Sequence, residues 1–177
     1  MVLNDSKFGC DVRGSEIRMT ALRSPIYCFH DPAKVEPKKR YEHMDQGTQR
    51  FRYALLPHQG DWRDGDVVRQ AHALNQPLFA REEPAHKGKL PAAHSWASFD
   101  PESILIEALK RSEDGQAWVL RAFETLGSET PAKLSFMGAT LTECRFHPCE
   151  VKTWRLTQEA GQWRAQEADL LERPLPA

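Results

Sequence analysis

Cys144-Arg145-Phe146-His147-Pro148-Cys149 places three possible zinc ligands within one short stretch. Structural zinc takes four ligands, commonly in pairs two to four residues apart. The fourth ligand is missing, the cysteines are spaced too widely, and Cys144 and Phe146 share a strand face. Buried structural cysteines are therefore the favoured reading. The chain has no Gly-x-Ser-x-Gly elbow, no cysteine in a protease setting, no Gly-x-Gly-x-x-Gly and no phosphate-binding loop. His58 lies in Leu56-Pro57-His58-Gln59-Gly60-Asp61-Trp62, straight after a strand-like run, where an imidazole could titrate usefully. A loop histidine bonded to backbone is the alternative. With 25 acidic residues, some carboxylates must lie close together, so such pairs decide nothing. Asn4, Asp5 and Lys7 cluster between Leu3 and Phe8; such a group can hydrogen-bond a sugar or simply shape a surface turn. The residues alone assign no catalytic set and no metal ligands.

The elements that would carry these residues are mostly strands. Ile17, Met19 and Ala21 alternate with Glu16, Arg18 and Thr20, and Phe51, Tyr53 and Leu55 alternate in the same way. Period two with one wet face predicts half-buried strands, which antiparallel sheets tolerate. One segment differs: Val67, Val68, Ala71 and Leu74 recur at helical steps, with Asp64 or Asp66 to cap the start and Asn75 and Pro77 to end it. Residues 81–94 are polar, carry prolines and a glycine, and show no period, which marks a boundary. Beyond it, Ser103–Leu109 and Trp118–Phe123 flank Asp114-Gly115, a hairpin signature. Further strands are expected at Ala132–Phe136, Thr140–Phe146, Glu150–Leu156 and Trp163–Leu171, the last of which also fits a helix. The spacing predicts a small antiparallel sandwich.

Bulk properties set the class. The 177 residues, 40% hydrophobic and 28% charged, suit a folded chain of one larger or two small domains. A net charge of −1 argues against a nucleic-acid partner. The short basic run of Lys38, Lys39 and Arg40 reads as a solvated loop. No window is long and apolar enough to span a membrane, and the N-terminus lacks a secretory pattern. Four cysteines, far apart or on strand-like segments, read as free thiols, and a cytoplasmic setting is expected.

Several of these segments carry a resemblance. Leu3-Asn4-Asp5-Ser6-Lys7-Phe8-Gly9, then Asp11-Val12-Arg13-Gly14 and Ala21-Leu22-Arg23-Ser24-Pro25, resemble a motif series of the family 38 α-mannosidases. Asp45-Gln46-Gly47 and Phe51 to Trp62 resemble the segment that follows. Asn75-Gln76-Pro77-Leu78, Glu107 to Lys110, Glu113-Asp114-Gly115, Leu120 to Glu124, Pro148 to Thr153 and Asp169 to Glu172 match in the family's order. Ser6 stands where the family often has Cys, and Phe8 where it often has Tyr.

The resemblance implies a mainly β chain. Residues 1–90 would be the closing part of a large antiparallel sandwich like that of galactose mutarotase, and 95–177 a small terminal sandwich, with one short helix. Family members are retaining α-mannosidases whose nucleophile, acid/base and zinc lie in an N-terminal barrel domain. A retaining glycosidase needs two carboxyl groups flanking the scissile bond, and none are assigned here. The chain alone is thus expected to be inactive, with zinc in the missing catalytic domain. Asn4, Asp5, Lys7 and Arg23 would be the substrate-binding candidates, or would merely stabilise the β domain. The expected partners are an α-mannoside or mannose-containing oligosaccharide, met through the parent enzyme, and a catalytic domain in cis or trans. A stand-alone carbohydrate-binding or docking module is the competing reading. The five tryptophans, alternating with polar residues, read as core rather than as sugar platforms. The chain opens inside a motif without upstream strands, so an open edge, an uncovered apolar face and self-association are expected.

Overall fold

The computed structural model describes residues 1–23, 34, 36–39, 41 and 47–176. Ser24, Pro25, Asp45 and Gln46 of the motif series, with Cys28 and Arg40, lie outside the described residues. The chain divides into two compact units, Met1–Phe79 and Ala80–Ala177.

In the first unit, β1 (Val2–Asn4) pairs antiparallel with β4 (Tyr53–Leu55), and β2 (Cys10–Arg13) pairs with β3 (Glu16–Met19) around Gly14. Gly14 takes φ 58°, a turn conformation that favours glycine. The helix α1 (Val67–Asn75) follows. Asp66 holds its N-cap position in a left-handed conformation, but neither Asp66 nor Asp64 caps it with a side chain as the sequence suggested. Asp64 instead accepts from the Asp61 N–H at 2.9 Å, folding the preceding loop back on itself. The period-two faces were expected to be half-buried, yet Ile17 is 50%, Tyr53 62% and Leu55 74% exposed. Among the described residues, Leu3 and Val67 are the buried hydrophobics of this unit. The reason is geometric: two-stranded ladders have too little of a second layer to cover an apolar face.

The second unit is a sandwich. One sheet runs β11-β10-β7-β6 and the other β5-β8-β9, all antiparallel. The first comprises β6 (Ile104–Arg111), β7 (Trp118–Glu124), β10 (Val151–Glu159) and β11 (Gln162–Ala168). The second comprises β5 (Ala97–Asp100), β8 (Thr130–Phe136) and β9 (Ala139–Phe146). Alternation puts Leu120, Ala122, Ala132, Leu134, Phe136, Phe146, Trp154 and Leu156 inside. Trp154 packs at 5.4 Å from Phe99 and 5.8 Å from Phe146, centroid to centroid. At roughly 1.5–3 kcal/mol per fully buried large apolar side chain, this cluster supplies the unit's main stabilisation. The Asp114-Gly115 hairpin forms, with Gly115 at φ 71°. The last segment is a strand but stops at Ala168, because Asp169 turns the chain; its carboxylate accepts from the Leu171 and Arg173 N–H groups at 2.9 Å each. The short strands β1, β2 and β5 have no clear alternation and were not expected.

Candidate functional site

Asn4 ends β1 by bonding its own turn: its Oδ1 accepts from the Lys7 N–H at 2.9 Å and the Ser6 N–H at 3.2 Å. Its carbonyl accepts from Asn75 Nδ2 at 3.1 Å, which ties α1 to the turn. Asp5 reaches the other way. Its Oδ1 accepts from the Arg52 N–H at 2.9 Å and the Ser6 hydroxyl at 2.9 Å, with the Arg52 guanidinium 3.6 Å from Oδ2. The Arg52 amide and the Ser6 hydroxyl hold the Asp5 carboxyl below the usual carboxylate range. Lys7 donates to Gln49 Oε1 at 3.4 Å and lies 5.7 Å from the Phe51 ring centroid.

Two of the four candidates share a hollow. Lys7 and Arg23 line an open cavity of 340 Å³ together with Phe8 and Thr20. Asn4 and Asp5 shape the turn behind it. A second cavity of 420 Å³ is apolar, lined by Val2, Ile17, Met19, Phe51, Tyr53 and Leu55. The two period-two faces of the sequence thus converge on one groove.

His58 packs its ring against Gly65, where a Cβ would lie 2.5 Å from the His58 Cγ, and its Nδ1 is 3.1 Å from the Gln59 carbonyl. Trp62 carries the Arg63 guanidinium 4.3 Å from its ring centroid. Of the five tryptophans only Trp154 is buried; Trp96 is 47% exposed. With Leu109, Trp118, Phe136 and Met137 it lines an apolar hollow of 200 Å³ in the second unit.

The remaining motif residues form a polar frame in that unit. Glu124, 1% exposed, accepts backbone N–H bonds from Leu126 and Gly127 at 2.7 Å, Cys149 at 3.0 Å and Ser128 at 3.1 Å. Burial pushes its pKa up, but the four donors outweigh burial and hold it below the usual range. Arg121 donates to Thr153 Oγ1 at 3.1 Å and to the Leu170 carbonyl at 3.1 Å. Glu172 accepts from the Glu113 N–H and from Lys110, both at 2.8 Å. Arg155 bonds Asp114 at 2.7 Å and the Glu172 carbonyl at 3.3 Å. The Ser112 hydroxyl, the Gln116 amide and Arg155 bring the Asp114 pKa down to about 2. Cys149 and Glu172 sit at φ 57° and 65°, left-handed positions held by these bonds. Lys152 lies between Glu167 at 2.7 Å and Glu150 at 3.7 Å. This frame was missed as a frame because its partners lie far apart in sequence, 59 residues for Glu113 and Glu172. Among the described residues, no group of three or more His, Cys, Asp and Glu is placed to hold a metal.

A two-sheet antiparallel sandwich with such a frame defines a small β-sandwich domain. Residues 103–177 match the family model described as "Glycosyl hydrolases family 38 C-terminal beta sandwich domain". Among curated proteins, the chain is 35% identical over 133 residues to alpha-mannosidase 2C1 of Homo sapiens, covering 72% of this chain and 11% of that protein. Alpha-mannosidase G of Dictyostelium discoideum is 28% identical over 130 residues, 73% of this chain and 11% of its own length. The alpha-mannosidase of Saccharomyces cerevisiae is 30% identical over 155 residues, 76% and 12% respectively. The chain thus spans about a tenth of the length of these relatives. No solved structure matches. The chain belongs to glycosyl hydrolase family 38, as the C-terminal β region of that family.

Proposed function

We propose that this chain is the non-catalytic C-terminal portion of an α-mannosidase, a scaffold for a catalytic domain supplied in cis or in trans. The single observation that carries the reading is the apolar groove of the first unit. Its lining residues Tyr53 and Leu55 are mostly exposed, while the buried hydrophobics among the described residues of that unit number two. An apolar face of that kind on a unit with so small a core is what a missing layer would cover. The substrate is then a terminal α-mannoside, met at a site the catalytic domain builds, and zinc belongs to that domain. Lys7 and Arg23, beside the groove, are the residues through which this chain would touch a sugar; Arg offers a planar fork suited to vicinal hydroxyls. A cytoplasmic setting accords with free thiols at Cys10, Cys144 and Cys149. No described helix is long and apolar enough to cross a membrane.

The test is co-purification with a family 38 α-mannosidase from which the matched region has been deleted. A stoichiometric complex is expected. Failure to bind under conditions where both parts are folded would end the proposal.

One observation favours a second reading, a carbohydrate-binding module: the exposed Trp96 beside an apolar hollow, its ring edge-on to His94 at 4.5 Å. Calorimetry with mannose and mannobiose separates the two. Heat that disappears in Trp96→Ala would favour the module, and no heat favours the scaffold.

A further inference from the structure

The sandwich has edges at β6, β11, β5 and β9, and three are blunted. In β6 the ladder shifts between Ile106 and Ala108, a bulge at Glu107. In β11 the tail covers the end: Ala168 bridges Pro174, and the Leu175 N–H donates to the Glu167 carbonyl at 2.9 Å. The four-residue β5 runs straight into Pro101. The eight-residue β9 also shifts register, at Leu141, but its stretch from Thr142 to Phe146 pairs regularly with β8 and, among the described residues, with no second strand. A long uncovered edge is a template for another strand.

Register tells which backbone groups face outward. Pro131 stands opposite Arg145. Proline has no N–H, so these two cannot exchange a pair of bonds. Pair types alternate along an antiparallel ladder. Cys144 therefore bonds Ala132, while Glu143 and Arg145 aim their N–H and C=O groups away from β8. The Glu143 carbonyl takes a bond from its neighbour, the Thr142 hydroxyl, at 3.2 Å, which leaves it a second lone pair.

A second copy fits this edge. Alternation of pair types requires a two-fold axis to pass through a residue facing its own mate. Centring on Glu143 sets carboxylate against carboxylate, and centring on Arg145 sets guanidinium against guanidinium. Centring on Cys144 sets Glu143 against Arg145 of the second copy, twice, with their outward backbone groups in bonding register. The neighbours extend the pattern. Lys133 bonds Glu143 at 3.0 Å and Glu129 bonds Arg145 at 2.9 Å. Across the joint the order is Lys133, Glu143, then Arg145 and Glu129 of the second copy, alternating in sign throughout. Glu143 and Arg145 are 72% and 62% exposed, open to such a contact.

We propose that the chain forms a two-fold dimer by antiparallel pairing of β9 with β9, centred on Cys144. Sedimentation of the full chain up to about 100 μM is expected to show the dimer. Arg145→Glu puts like charges opposite one another twice and weakens it by about tenfold or more. Exchanging all four charges, Glu143→Arg and Arg145→Glu with Lys133→Glu and Glu129→Lys to keep the neighbouring pairs, restores it. A wild-type monomer throughout, a dimer indifferent to Arg145→Glu, or an exchange that fails to restore pairing overturns the proposal. A measurement that leaves the charges untouched uses Cys144 alone, with Cys10, Cys28 and Cys149 changed to Ser. In a non-bonded pair the facing Cβ atoms stand about 4.5–5.5 Å apart, near disulfide reach. Diamide then takes one hydrogen from each thiol and joins the two copies. A sedimenting dimer that gives no Cys144 link refutes the register.

Discussion

Glu124→Gln is the sharpest perturbation of the polar frame. The carboxylate is buried and receives four backbone N–H groups, one on Oε1 and three on Oε2. Glutamine keeps one oxygen. Turned to retain the three donors of Gly127, Ser128 and Cys149, it sets its own N–H₂ against the Leu126 N–H. One charge-assisted bond is lost outright and three become neutral. Bonds to a charged group contribute about 1.5–3 kcal/mol each and neutral ones about 0.5–1.5. Relief of burying a charge offsets part of the loss, so the net cost is about 3 kcal/mol. For a unit of this size that lowers the melting temperature by roughly 12–24 °C. Because the Glu124 pKa is depressed on folding, its contribution is present above the unfolded carboxyl pKa and fades as pH falls through the folded value. The gap between wild type and Glu124→Gln, followed by thermal circular dichroism, should therefore close in acid. A variant within about 0.5 kcal/mol of wild type at neutral pH would show that the frame contributes nothing.

The same packing and hydrogen bonds fix other outcomes. Trp154→Ala should cost about 3–5 kcal/mol in chemical denaturation, since it empties the centre of the sandwich core. Gly65→Ala drives a methyl into the His58 ring and should cost about 1–3 kcal/mol, whereas the double variant with His58→Ala should recover most of that if His58 acts through packing. Glu172→Gln should lower the melting temperature at neutral pH and lose its effect in acid, because Lys110 and the Glu113 amide hold the Glu172 pKa down. Replacing Tyr53 and Leu55 by Gln should leave the melting temperature of the sandwich unchanged, reduce binding of an apolar dye, and weaken capture of the catalytic portion.

The sandwich was legible in the sequence as short apolar runs separated by turn signals. Leu120, Ala122, Leu134, Phe136, Trp154 and Leu156, which lie inside, all fall within those runs, and Asp114-Gly115 turns the hairpin as its residue types demand. The first unit was legible in its faces but not in its burial. Ile17, Met19, Phe51, Tyr53 and Leu55 do share a groove, yet pattern alone says which side is apolar, never whether anything covers it. Asp66 failed as a side-chain cap because its backbone is left-handed there, a fact that composition does not record. The polar frame was invisible for another reason: Glu172 and Glu113, or Glu124 and Cys149, meet only after the strands are paired. The motif series that pointed to the family thus includes residues whose observed work is to fix turns and tails.

The central claim is that these strands complete a mannosidase built elsewhere. Its most direct test is release of mannose from an aryl α-mannoside by three preparations: this chain, a family 38 α-mannosidase lacking the matched region, and the two together. No turnover by the chain, little by the truncated enzyme and recovery in the mixture is the expected result. Turnover by this chain alone, or full activity of the truncated enzyme without it, would contradict the account.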